Sequence, residues 1–180
     1  MQPFEWKRQA MKLTSVNVRR EYAGKNTENG RTASDLQLIV KGGNDLLDKL
    51  DVNLRGAFYE ADLDKQGVLV PHALTKRTHP LLKADALLYD VKLMGYRVEL
   101  DHGIGDPITL DDCRINNFRL NLAEGGTVDV SFRCQFHPTP GQLDPLADKL
   151  QQEVTVTITA PKQPKAKAEK QQGELIGATA

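Results

Sequence analysis

The sequence predicts a mainly β fold, either a β-sandwich or a partly open antiparallel barrel, with two short helices. Three observations carry that expectation. Apolar and polar residues alternate with period two, most cleanly in VDVSFRCQF, where Val128, Val130, Phe132, Cys134 and Phe136 share one parity and Asp129, Ser131, Arg133 and Gln135 the other. β-branched runs such as EVTVTIT suit a pleated, half-buried surface. Clusters of turn residues, among them GGN, AEGGT and HPTPGQ, punctuate these runs at short intervals.

Residues 1–10, MQPFEWKRQA, show no clear period and read as an N-terminal arm, with Phe4 and Trp6 as its hydrophobic anchors for a partner. The single β-rich domain is expected over residues 11–160. Val16, Val18, Arg20 and Tyr22 fall on one parity, with Asn17, Arg19 and Glu21 on the other, as in a half-exposed strand. GKNTENGRTASD then turns the chain into DLQLIV, a second strand with Leu36, Leu38 and Val40 on one side. GGN ends it, and NDLLDKLD reads as a short helix capped by Asn44, after which Val52, Leu54 and Phe58 read as a strand. DLDKQG from Asp62 matches the opening of a calcium loop, but its twelfth place is Ala73 where a bidentate Glu is needed, so it reads as a turn.

ALLYDVKLMGYRVEL, residues 86–100, alternates with a slip of parity at Met94-Gly95, and CRINNFRLNL slips at Asn116-Asn117. Both slips predict β-bulges. AEGGT joins CRINNFRLNL to VDVSFRCQF in a hairpin over residues 113–136. LDPLADKL follows as the second short helix and EVTVTIT as the last strand. DLLDKL in the first half and LADKL in the second suggest an internally duplicated β-β-α-β unit. Residues 161–180 hold four Lys, two Glu and almost no large apolar group, and read as a disordered Lys/Ala/Gln-rich tail.

The charges balance at 24 basic and 24 acidic residues, so no general attraction to nucleic acid or anionic membrane follows, and any such contact needs a local patch. The absence of a signal-type or membrane-length apolar run points to a soluble, cytoplasmic protein without membrane contact. Cys113 and Cys134 fall on inward positions and read as small core residues. The phosphate-loop, nucleophile-elbow and zinc patterns are missing, and the three serines sit in none of the nucleophile contexts. No enzyme class and no cofactor is therefore expected.

DHGIGDPITLDD, residues 101–112, is the one acidic cluster. As a metal site it would use Asp101, His102 and Asp106, and a metal-dependent hydrolase is a third reading of the chain. As the end of a hairpin it needs no ligand, because Gly103 and Gly105 allow turn angles and Asp106-Pro107 starts a turn. The hairpin is preferred and no metal is expected.

The leading expectation is a non-catalytic binding or assembly protein that uses a protein partner or self-assembly, acting through loops 24–35 and 101–112, the N-terminal arm and an edge strand. A second reading is a single-stranded DNA-binding accessory factor of replication or recombination. It would use Arg19, Arg114, Arg119, Arg133 and Gln135 on an outward sheet face, flanked by Lys12, Asn121 and Ser131. The tail bears on this reading. Gln172, Leu175 and Ile176 in QGELI form a spacing that resembles the short peptide by which bacterial replication proteins dock on the sliding clamp, with Ile in place of the common Phe. That resemblance implies a partner-recruiting tail.

Overall fold

In the computed structural model, residues 4–22, 30–62, 74–81, 86–101, 103 and 105–161 are described below. The alternating runs become the walls of a closed antiparallel barrel. Its strands are β1 (Trp6–Glu21), β2 (Arg31–Gly43), β6 (Leu93–Asp101), β7 (Ile108–Leu122), β8 (Thr127–Phe136) and β9 (Glu153–Thr159). They neighbour one another in the order β7-β6-β9-β1-β2-β8, and β8 returns to β7 to close the ring. Of the two architectures expected, the chain adopts the barrel. The short strands β3 (Tyr59–Ala61) and β4 (Leu74–Arg77) form a separate two-stranded sheet, and β5 (Leu87–Tyr89) adds to the edge of β7 beyond β6.

Inward residues from every wall meet in one core. Leu13, Leu36, Leu38, Val98, Leu110, Ile115, Val130, Phe132 and Val156 are all buried, and so are the five inward residues of VDVSFRCQF. Burying each large side chain stabilises the fold by about 1.5–3 kcal/mol. The outward residues of the same strands are exposed or half-buried. The hairpin expected over 113–136 is therefore the β7–β8 pair.

The N-terminal arm is corrected. Phe4 and Trp6 are each only 3% exposed, and Trp6 opens β1, which pairs with β9 through Trp6↔Ile158, Ala10↔Thr155 and Met11↔Val154. The rings of Phe4 and Trp6 lie 5.0 Å apart, with Phe118 5.2 Å from Phe4 and Phe132 5.5 Å from Trp6, in tilted and edge-on arrangements. Such aromatic pairs add about 0.5–1.5 kcal/mol each beyond simple burial. The two residues are core, not partner anchors. The barrel accordingly starts before residue 11.

Two further expectations change. Asn44 does not cap its helix; it is buried, and its amide Nδ2 donates to the carbonyl of Leu74, tying the 3₁₀ turn Asn44–Lys49 to β4. The residues read as a strand from Val52 instead form helix α1 (Leu54–Phe58). Leu54 and Phe58 stand four apart, a spacing that suits one helix face as well as one strand face, and both pack on the core while Val52 is exposed. The second helix, α2 (Leu143–Asp148), forms where LDPLADKL predicts it. The two proposed β-β-α-β units diverge at their last strand, since β9 joins the barrel whereas the residues read as the first unit's last strand form α1.

Both predicted bulges occur. The β6–β7 ladder shifts register around Gly95, which has φ +74°, and the β7–β8 ladder shifts between Asn116 and Arg119, where Asn117 has φ +54°. Asn117 absorbs one residue, so Ile115 and Phe118 both point inward while Asn116 and Arg119 both point outward. Asn tolerates this left-handed geometry, whereas a β-branched residue does not. Asn117→Val is expected to lower stability by about 1–2 kcal/mol while Asn117→Gly stays near wild type, measured by urea denaturation. Equal midpoints for the two variants would contradict a left-handed bulge at 117.

Candidate nucleic-acid interface

Because direct partners in a ladder share a face, the outer surface of β2, β8 and β7 can be read rung by rung. Asp35, Gln135 and Arg114 form one rung; Gln37, Arg133 and Asn116 the next; Ile39, Ser131 and Arg119 the third; Lys41, Asp129 and Asn121 the fourth. Arg114, Arg133 and Arg119 thus occupy three successive rungs, stepped by about 7 Å along the strands. The Asn117 bulge matters here, since it returns Arg119 to the outside after the parity slip.

The five expected contact residues divide in two. Arg19 is held by Asp35 and by Glu21, the latter through Nε at 3.0 Å. These bonds raise the guanidinium pKa further, Asp35 contributing most, and the bond from Arg19 lowers that of the Glu21 carboxyl. Gln135 is spent as well: its amide Nε2 donates to Asp35 Oδ1 at 3.1 Å and its Oε1 accepts from Asn116 Nδ2 at 3.1 Å. Arg19, Asp35, Gln135 and Asn116 therefore form a polar chain across four strands. Arg19 and Gln135 are thus already bonded within this surface and support it.

Arg114, Arg119 and Arg133 have no ion-pair or hydrogen-bond partner among the described residues. The two carboxylates on these four rungs are already engaged, Asp35 by Arg19 and Asp129 by Lys41 at 3.3 Å. Arg8 and Arg97, on other walls, are each paired with an aspartate, Asp101 and Asp111. A strip of three uncompensated guanidiniums is therefore left on β7 and β8. The strip carries no aromatic side chain, because Phe118, Phe132 and Phe136 point into the core. A groove of about 510 Å³ opens beside it over β9, β1, β2 and β8, lined by Lys12, Lys41, Asp129 and Glu153 around Ile39, and its charges balance.

Of the remaining candidates, Asp101 takes a structural role. Asp101 Oδ1 accepts from the amide of Gly103 at 3.0 Å and Oδ2 faces Arg8 at 3.4 Å, so this carboxylate anchors the turn between β6 and β7. Asp106 is exposed in that turn, and His102 lies outside the described residues. Among the described residues no three His, Cys, Asp or Glu side chains gather as a metal site. Cys113 and Cys134 are free and buried, and the Cys134 thiol is pushed well above its ordinary pKa, first by its hydrogen bond with Cys113 and then by burial. A thiol held protonated in this way is a poor nucleophile. Gln172, Leu175 and Ile176, and residues 24–29 of loop 24–35, fall outside the described residues. Among the described residues no helix is long and apolar enough to cross a membrane. No protein-family model, curated protein or solved structure matches the chain.

Proposed function

We propose that the chain is a non-catalytic binding protein that holds single-stranded DNA against the outer face of β7 and β8. The observation that supports this reading is the row of Arg114, Arg133 and Arg119 on successive rungs, uncompensated while the neighbouring carboxylates are taken by other cations. Guanidiniums in a row on a rigid wall suit the phosphates of an extended strand, and no catalytic constellation is needed. Asn116, Ser131 and Asn121 interleave with them and add hydrogen-bonding groups that can meet phosphate or base edges. The buried core beneath would act as a stiff support. The tail around Leu175 would recruit a protein partner.

The test is fluorescence anisotropy with a labelled oligothymidylate of about 16 nucleotides across a range of salt concentrations. The wild type is expected to bind with a steep salt dependence. Arg114→Ala/Arg119→Ala/Arg133→Ala should bind more weakly and lose about 2 from the log–log slope, roughly 0.7 for each phosphate contact removed. An unchanged slope, or no binding by the wild type in low salt, would refute the reading.

A further inference from the structure

The strip of arginines lacks the aromatic surface on which single-stranded bases stack, and an exposed aromatic side chain stands just past the end of β1, on the parity opposite to that of the strip. The β2–β8 ladder ends at Ser34↔Phe136, and the β1–β9 ladder ends at Lys12↔Glu153. The β1–β2 ladder alone runs on through Arg19↔Ala33 and Arg20↔Thr32 to Glu21↔Arg31. Beyond Val18 and Ser34 the two strands are each other's only ladder partners among the described residues, and they run past the end of the barrel wall as a ribbon.

The two faces of this ribbon differ in chemistry. On one, Arg19 and Glu21 neutralise each other and His137 Nε2 stands 3.4 Å from Glu21. On the other, alternation puts Val18, Arg20 and Tyr22 together, with Ser34 and Thr32 opposite the first two, and no carboxylate among them. Val18 is 55% exposed and Tyr22 50%, unusual for apolar bodies on strands whose other members fill a core. A Cβ added to Gly30 would fall 2.7 Å from Arg20 Nε and 2.8 Å from Tyr22 Cε1. The guanidinium and the phenol ring thus lie side by side over the same bare backbone. That arrangement makes a cationic, solvent-exposed surface which a side chain at position 30 would disturb. Neither Arg20 nor Arg31 has an ion-pair partner among the described residues.

We infer that the ribbon face bearing Val18, Arg20 and Tyr22 is a stacking platform for a base of the single strand that the β7–β8 arginines hold. The inference rests on the proposed function and deepens it: arginines of the wall take phosphates, and the ribbon takes a base. A bare ring beside an unpaired guanidinium suits a polyanion with exposed bases, because the ring supplies sequence-tolerant stacking and the cation meets the adjacent phosphate. Arg31, on the opposite face but the same ribbon, adds positive charge without a carboxylate of its own.

The test compares Tyr22→Phe, Tyr22→Leu and Arg20→Gln, each in the full chain, for binding of the same labelled oligothymidylate. The ribbon lies outside the barrel, so thermal unfolding should match wild type in all three and confirms that the proteins are folded. Tyr22→Phe keeps the ring and should bind within about twofold of wild type, whereas Tyr22→Leu should bind roughly tenfold or more weakly. Arg20→Gln should lower the salt slope by about 0.7. If Tyr22→Leu binds as wild type does while the β7–β8 arginine variant remains weak, the platform is refuted and the proposed function stands. If the wild type binds no oligonucleotide, both fall together. If Tyr22→Leu leaves DNA affinity intact and converts an oligomer to a monomer, the ribbon is a self-association surface and the inference is overturned.

Discussion

A chain started at Met11 instead of Met1 is expected to lose most or all of its cooperative fold. It would lack Phe4 and Trp6, both 3% exposed inside the barrel, together with the part of the β1–β9 ladder that runs from Trp6↔Ile158 to Ala10↔Thr155. Truncating one buried aromatic residue to alanine costs about 3–5 kcal/mol, and two side by side leave a larger void against Phe118 and Phe132. Set against a typical total stability of about 5–15 kcal/mol, that loss is enough to unfold a marginal domain. Urea denaturation followed by circular dichroism measures it, and an intact transition at the wild-type midpoint would restore the view of residues 1–10 as a dispensable arm. Trp6 is the sole tryptophan, so in the full chain its emission reports independently. It should be that of a buried indole and shift to the red on unfolding.

The second large effect separates two adjacent residues. Phe132→Ala should destabilise the protein by about 3–5 kcal/mol, since Phe132 is fully buried with its ring 5.5 Å from both Trp6 and Phe118. Arg133→Ala, one position along β8, points outward without a partner among the described residues and should change stability by less than about 0.5 kcal/mol. The same two substitutions should reverse their order in the oligonucleotide assay once Phe132→Ala is measured at a temperature where it is folded. Comparable losses of stability in the two variants would mean that β8 does not present opposite faces to core and solvent.

Much of this fold was legible because its walls are written in period two. VDVSFRCQF, DLQLIV and EVTVTIT each became the strand their alternation predicts, and the Met94-Gly95 and Asn116-Asn117 slips became bulges. The N-terminal stretch escaped for a definable reason. Phe4 and Trp6 lie on one parity and Met11 and Leu13 on the other, because Arg8, at φ +47°, hosts a bulge with no glycine to announce it. A parity slip between apolar pairs was the available signal. The five-residue helix α1 was missed because Leu54 and Phe58 satisfy both a helical and an extended spacing.

The proposed interface was less legible, and the cause is different. Sequence pattern sets which arginines point outward, and it identified Arg19, Arg114, Arg119 and Arg133. It does not say which of them a carboxylate will claim. Arg19 is taken by Asp35, sixteen residues away and brought across by the β1–β2 pairing, while Asp129 is drawn off by Lys41. Availability of charge is a tertiary property. The same holds for the proposed platform at Arg20 and Tyr22, whose isolation depends on where the ladders to β8 and β9 stop.

The joining of β1 to β9 also governs when this protein can fold. β1 meets β2 early in the chain, but its first part, from Trp6 to Met11, has its ladder partners only in β9, so nearly the whole chain must be in place before that end of the wall is paired. Contacts between such distant partners make assembly slow, in the range of milliseconds to seconds for comparable all-β topologies. During synthesis the first strand therefore waits, with its aromatic residues uncovered, until the last has left the ribosome.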